Sequence, residues 1–281
     1  MAENTRRGLL RIAGVGAATV LPGCASAVDQ LSSDTNSTGT EGRTTGLTTR
    51  TKAPEPSQTT DGRTTEEPTE PTEEPAESVE ISDTDLFGGS VPLPETPDAH
   101  RYAVMGDPDT SPTATVYGNW KCPYTASFVV DQLPVLVDRF TRPGDVAIEF
   151  RSLAYLDGDP FLGEDAPRAS RAGLAVWNVA PESYWSYLGT VFANQPPERQ
   201  TWAEVELLER LASEAGVDRV GAVSQLFTTD RFGPALQETV QRAKRRAIDT
   251  VPRVVTEERV TAPTVDFDST KRQFRVASDR R

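Results

Sequence analysis

The chain is 281 residues long and carries 42 aspartates and glutamates against 29 lysines and arginines, a formal net charge of −13. That balance argues against nucleic acid and anionic membrane surfaces as partners held by charge, because both require basic patches. The single histidine, His100, leaves Cys–His and Ser–His–Asp catalysis without a base and zinc without ligands, so no metal and no other cofactor is expected.

The N-terminus places Arg6-Arg7 ahead of an uncharged run from Ile12 to Leu21, followed by Leu21-Pro22-Gly23-Cys24. A basic flank, an apolar stretch too short to span a bilayer and a small-residue processing site are the parts of an export signal. The paired arginines resemble a twin-arginine signal, and residues 21–24 resemble the lipobox at which a lipoprotein precursor is cut and its cysteine lipidated. On this reading residues 1–23 are a signal peptide and Cys24 becomes the first mature residue, lipidated and not redox-active. A plain signal peptide or an uncleaved anchor is the alternative.

Residues 24–97 are dominated by Ser, Thr, Gly, Glu and Pro, as in Thr64-Thr65-Glu66-Glu67-Pro68-Thr69-Glu70-Pro71. Such a segment cannot bury enough apolar surface to offset the entropy of ordering, and it reads as a disordered tether of roughly 45 Å if it behaves as a flexible coil. Lysine is scarce beside arginine, and the acidic, threonine-rich composition resembles proteins of extreme halophiles.

The folded part is expected over 98–281. Ala114 to Trp120 is a β-branched and aromatic run that reads as a buried strand ending in a Gly118-Asn119 turn, with Cys122 directly after it. Pro123 suits a first helical turn, residues 126–137 have helical apolar spacing, and Pro134 is expected to kink that helix. Asp145 to Arg151 alternates as a second strand, so the opening unit is strand, helix, strand. Several helices follow between about 166 and 248, including 168–179, 184–194, 202–215 and 233–248. The chain then returns to strands at 253–256, 264–267 and 274–276, giving an α/β domain with a mixed sheet.

Asp157, Asp159, Glu164 and Asp165 cluster in one loop; solvated surface carboxylates account for them more readily than a cation site does. Cys122 is the single thiol left once Cys24 is assigned to processing, so the folded part has no internal disulfide. A lone cysteine is commonly a small buried hydrophobe. A thiol between a strand and a helix, however, sits where backbone N–H groups and the helix dipole favour thiolate. Thr125, one turn on, reads equally as a hydrogen-bond donor to that thiolate or as a tolerated replacement. Lys121 reads as a lysine pointing into solvent in preference to a charge acting on Cys122, and Tyr124 as a groove residue or a loop aromatic.

The segment Tyr117-Gly118-Asn119-Trp120-Lys121-Cys122-Pro123-Tyr124-Thr125 resembles the active site of DsbA-like thiol-disulfide oxidoreductases, whose motif is Cys-Pro-aromatic-Cys. Ser183 to Gln195 resembles that family's inserted helix, and the likeness spans most of the chain after Tyr102. It implies a thioredoxin-like fold with a mixed sheet and an inserted helical subdomain. It also implies a cis-proline loop facing the cysteine, for which Thr250-Val251-Pro252-Arg253 fits better than Pro263. Cys122, Thr125 and Pro252 then occupy catalytic positions, and Pro123, Tyr124 and Val251 line a substrate groove. Thr125 stands where the resolving cysteine belongs, so Cys122 can attack but cannot resolve a mixed disulfide within the chain. The resemblance implies a monothiol oxidoreductase on the outer face of the cytoplasmic membrane, held there through lipid on Cys24. Its partners would be exported proteins bearing thiols or disulfides and an external resolving thiol or redox partner, with no nucleic acid. The alternative is a retired enzyme that binds a protein partner through the former active-site groove.

Overall fold

The computed structural model describes residues 80–280 apart from 83 and 258. The signal, Cys24 and the tether as far as residue 79 lie outside the described residues. The body begins earlier than composition indicates. Residues 80–97 lack regular structure apart from a 3-10 turn at Pro97–Ala99, yet Phe87 is buried in the core, with Ile81, Leu86, Val91 and Leu93 packed against it. Ser82 and Asn194 exchange hydrogen bonds, Ser82 N–H to Asn194 Oδ1 at 2.7 Å and Asn194 Nδ2 to Ser82 O at 3.0 Å. A few apolar residues among Ser, Asp and Gly suffice for this docking, which is why a compositional boundary at 97 falls too late.

Five strands form the main sheet: β1 (Val104–Met105), β2 (Thr113–Gly118), β3 (Ala147–Ser152), β6 (Arg253–Val255) and β7 (Val260–Thr261), in the order β1-β3-β2-β6-β7. β2 runs parallel to β3 in register Val116↔Phe150 and antiparallel to β6 in register Val116↔Val254, so the sheet is mixed. A small hairpin, β4 (Tyr155–Leu156) and β5 (Asp159–Pro160), follows β3.

The period-2 alternation of β2 and β6 divides the core. Ala114, Val116 and Val254 face a large cluster, whereas Tyr117 and Val255 face a smaller one that contains Cys122. The large cluster is covered by α1, a continuous helical run made of α-helical Pro123–Ser127, π-helical Phe128–Gln132, α-helical Leu133–Leu136 and π-helical Val137–Thr141. Pro134 does not end or sharply break this run. Its missing N–H falls in the short α-helical segment between two wider π turns, where Leu133 N–H already reaches Phe128 O, five residues back.

Five helices fill the next stretch: α2 (Asp165–Val179), α3 (Tyr184–Ala193), α4 (Val205–Glu214), α5 (Val220–Phe227) and α6 (Gly233–Arg245). The last of them lies over the second face of the sheet, where Val240 and Ala243 join the Cys122 cluster. The strands expected at 264–267 and 274–276 do not form. β7 is Val260–Thr261, and α7 (Phe267–Ser278) follows. Asp266 caps that helix by accepting the Ser269 N–H at 2.9 Å, and Thr270, Gln273, Phe274 and Ala277 form its buried face. A helical period over twelve residues therefore overrides two short alternations.

Candidate functional site

The site loop leaves β2 at Gly118, a position that admits no side chain: a Cβ there would lie 2.8 Å from both the Phe150 ring and Thr125 Cγ2. Asn119 then holds the turn. Fully buried, it donates from Nδ2 to Leu153 O at 3.0 Å and Phe161 O at 2.9 Å, and its Oδ1 accepts the Lys121 N–H at 2.8 Å. Its own N–H donates to Thr125 Oγ1 at 3.2 Å. Trp120 is buried in an aromatic cluster, stacked on Phe192 at 5.2 Å and edge-on to Phe150 and Tyr184, while its carbonyl accepts Gln195 Nε2 at 2.7 Å.

Lys121 overturns the expectation of a solvent-facing lysine. It is 6% exposed, and its Nζ donates to Asp165 Oδ2 at 3.0 Å. Asp165 is 1% exposed and also accepts the backbone N–H groups of Trp202 at 3.0 Å and Ala203 at 3.2 Å. This carboxylate thus ties the site loop to the start of α2 and to the segment before α4. Among the described residues no group of three or more His, Cys, Asp or Glu side chains is arranged to hold a metal ion.

Cys122 is the N-cap of α1 and is 5% exposed, with its N–H bonded to Asn119 O at 3.0 Å and its carbonyl accepting Ala126 N–H at 3.0 Å. It is a free thiol, and its Sγ lies 3.9 Å from Val251 O, within donor range for sulfur. The Val251–Pro252 peptide bond is cis. Cys122 and Val251 belong to one apolar cluster with Tyr117, Leu153, Val240, Ala243, Ile248 and Val255. Pro123 and Tyr124 project outward, Tyr124 with 65% exposure. Thr125 is fully buried and its hydroxyl oxygen serves Asn119 N–H.

Of the residues singled out from sequence, Cys122, Val251 and Pro252 meet at one place, with Pro123 and Tyr124 at its rim and Thr125 beneath it. Sequence reasoning missed Asn119 and Asp165. In sequence Asn119 reads as a turn residue and Asp165 as one carboxylate of a solvated loop, although the partner of Asp165 lies 44 positions away.

A second charged group lies on the same face of the sheet as Tyr117, whose register partner in β3 is Arg151. Arg151, 4% exposed, stacks over the Tyr102 ring at 3.6 Å and bonds Glu149 Oε1 at 2.5 Å and Glu238 Oε1 at 3.5 Å. Arg101 reaches the other oxygen of Glu238 at 2.8 Å. Partial burial pushes the Glu238 carboxyl up, but Arg151 and Arg101 outweigh it and hold the group below its ordinary value. Burial raises the Tyr117 phenol, an effect partly opposed by Arg151, Arg242 and Arg246.

A mixed sheet, a thiol capping the helix after its central strand, a cis-proline loop against that thiol and helices placed between the two halves define a thioredoxin fold of the DsbA type. The thioredoxin family model matches residues 99–274, and the chain belongs to that family. It is 24% identical over 168 residues to disulfide bond formation protein D of Bacillus subtilis (strain 168), a match covering 60% of this chain and 73% of the relative. The crystal structure of oxidised BdbD from Bacillus subtilis is similar with a TM-score of 0.57 and 22% identity, over 68% of this chain and 98% of that one. The DsbA of Chlamydia trachomatis aligns with a TM-score of 0.53 and 18% identity, over 62% and 89% of the two chains. No described helix is long and apolar enough to cross a membrane.

Proposed function

We propose that this chain is an extracytoplasmic thiol-disulfide oxidoreductase of monothiol type, tethered to the outer face of the cytoplasmic membrane through lipid on Cys24 and acting on exported proteins that bear thiols or disulfides. The observation that carries this reading is the free Cys122 thiol at the N-cap of α1, 3.9 Å from the carbonyl of Val251 ahead of cis-Pro252. Its family and the disulfide bond formation for which its relatives are named agree with that chemistry. Cys122 thiolate attacks a substrate disulfide, the new Sγ–S bond replaces the substrate S–S bond, and the departing thiolate takes a proton. Because Thr125 occupies the resolving position, an external thiolate attacks the mixed disulfide, forming a disulfide with the substrate sulfur and returning Cys122 as thiolate. The cycle exchanges disulfides without net oxidation of the chain.

Four residues are assigned supporting roles. Pro252 and Val251 shape the wall against which the partner sulfur arrives, and Pro123 with Tyr124 forms the opposite lip. The 5% exposure of Cys122 in an apolar cluster favours a second reading, in which the site is retired and the groove binds a partner without exchange. Thiol trapping in cells separates the two: the oxidoreductase yields mixed disulfides that a reductant releases and that Cys122→Ala abolishes. A binding module yields the same partners from both forms and no covalent adduct. Cys24→Ser is expected to move the protein out of the membrane fraction; unchanged fractionation would remove the lipid anchor from the proposal.

A further inference from the structure

In a chain of net charge −13, positions 242–253 hold Arg242, Lys244, Arg245, Arg246 and Arg253 against a single acid, Asp249. This run forms the last turn of α6 and the loop into cis-Pro252, the loop whose Val251 carbonyl lies 3.9 Å from the thiol. Ala243, flanked by Arg242 and Lys244, packs in the same cluster as Cys122, as do Ile248 and Val251. Arg253 folds over the loop, donating to Pro252 O at 2.9 Å and to Thr250 Oγ1. Arg242, Lys244, Arg245 and Arg246 are exposed.

Nearby acids neutralise this rim only in part. Lys244 meets Asp157 of the β4–β5 turn at 3.6 Å, with both side chains half or more in solvent. Arg242 lies 4.0 Å from Glu238, which is already shared by Arg101 and Arg151. Arg246 donates to the Glu257 carbonyl at 3.3 Å and forms no ion pair with a described residue. The Arg245 side chain makes no ion pair or hydrogen bond with any described residue. Cations in a last helical turn stabilise the helix dipole, and that accounts for Arg242, Lys244 and Arg245. It does not account for Arg246 and Arg253, which lie beyond the helix, Arg253 directly after cis-Pro252.

We propose, resting on the thiol-exchange reading above, that residues 242–253 select polypeptide partners whose reactive cysteine is flanked by aspartate or glutamate. A partner joined to Cys122 must pass over Val251, which brings its flanking residues across this rim. There an acidic neighbour meets unpaired guanidinium groups and a basic one meets repulsion.

The test uses the full chain and three matched peptide disulfides, with glutamate, glutamine or lysine on both sides of the cysteine. Mixed-disulfide formation at Cys122 is timed by quenched mass spectrometry, and each rate is divided by the rate with neutral 2-hydroxyethyl disulfide on the same variant. The glutamate peptide is expected to react at least about tenfold faster than the lysine peptide at low salt, with the ratio falling towards one at 1 M salt, where screening acts over about 3 Å. Arg242→Glu/Arg245→Glu/Arg246→Glu is expected to invert the order, and Arg245→Glu alone to narrow it should the triple variant fail to fold. Equal rates for the three peptides, with 2-hydroxyethyl disulfide still reacting, would overturn the selectivity and leave the exchange reading standing. No adduct with any disulfide would overturn both.

Discussion

Removing Asp165 should cost more than removing the lysine it pairs with, and the structure says by how much. Asp165 accepts Lys121 Nζ at 3.0 Å and two backbone N–H groups, those of Trp202 at 3.0 Å and Ala203 at 3.2 Å, with all of this buried. Asp165→Ala therefore strands a buried ammonium, a loss of about 3–5 kcal/mol, together with two buried donors at about 1–3 kcal/mol each, less whatever water enters the space. Lys121→Met leaves the carboxylate with both N–H donors, and Arg168, already 3.8 Å from Oδ1, is placed to compensate. Its cost should be nearer 2 kcal/mol. Against a typical stability of about 5–15 kcal/mol, Asp165→Ala approaches the limit of a folded domain while Lys121→Met does not. Urea unfolding followed by tryptophan fluorescence measures both, and the double variant gives the coupling. Equal costs, or a larger cost for Lys121→Met, would refute the assignment of Asp165 as the hub that fixes the site loop.

Gly173→Ala would set a Cβ 2.4 Å from Trp120 Cζ2, so a loss of about 1–3 kcal/mol in unfolding free energy is expected, with slower Cys122 alkylation as Trp120 shifts. Tyr124→Ala, at a side chain 65% exposed, should leave the unfolding midpoint unchanged and slow exchange with peptide disulfides more than with small ones. Glu238 has its carboxyl held below its ordinary value of about 4.5, so its contribution is complete above that pH and is lost as pH falls through the depressed value. Glu238→Gln should therefore flatten the acid limb of the stability–pH curve below about that pH, measured by thermal melts in a buffer series. An unaltered acid limb would mean that Arg151 and Arg101 do not act on this carboxylate as the geometry requires.

Local pattern carried the strand, turn and helix around Cys122, because β-branched residues, Gly-Asn and Pro each impose their own geometry within a few positions. It also carried the setting of Pro252 after a helix and before a strand. It failed where a short segment's fate depends on distant partners. Thr264–Phe267 alternates like a strand, yet Asp266 caps α7 and the buried residues Thr270, Gln273 and Phe274 recur at helical spacing. Residues 80–97 look like tether because so few of them are apolar, but Phe87 reaches Trp185 edge-on at 6.4 Å. Lys121 and Asp165 each look solvated when read alone, and burial of the pair follows from a fold that brings two loops together. Electrostatic pairing across the chain leaves no periodic trace for a sequence to show.

Thr125, one helical turn after Cys122, is built into the frame of the site loop. Its Oγ1 accepts the N–H of Asn119, whose side chain in turn holds Leu153, Phe161 and Lys121, and its methyl packs into the space that Gly118 leaves open. Serine would keep the first contact and lose the second; valine would do the reverse. Cysteine keeps a group of similar size but offers Asn119 a weak acceptor, so Thr125→Cys should lower stability by about 1 kcal/mol, the worth of one neutral hydrogen bond. The same change supplies a second thiol one helical turn after Cys122, and it should convert the chain into a dithiol that closes a disulfide on mild oxidation and reduces insulin without added thiol. Alkylation counting after oxidation, with insulin turbidity as the turnover assay, decides it. If Thr125→Cys folds, keeps both thiols free under oxidant and shows no turnover, Cys122 is not positioned for exchange and the binding-module reading takes its place.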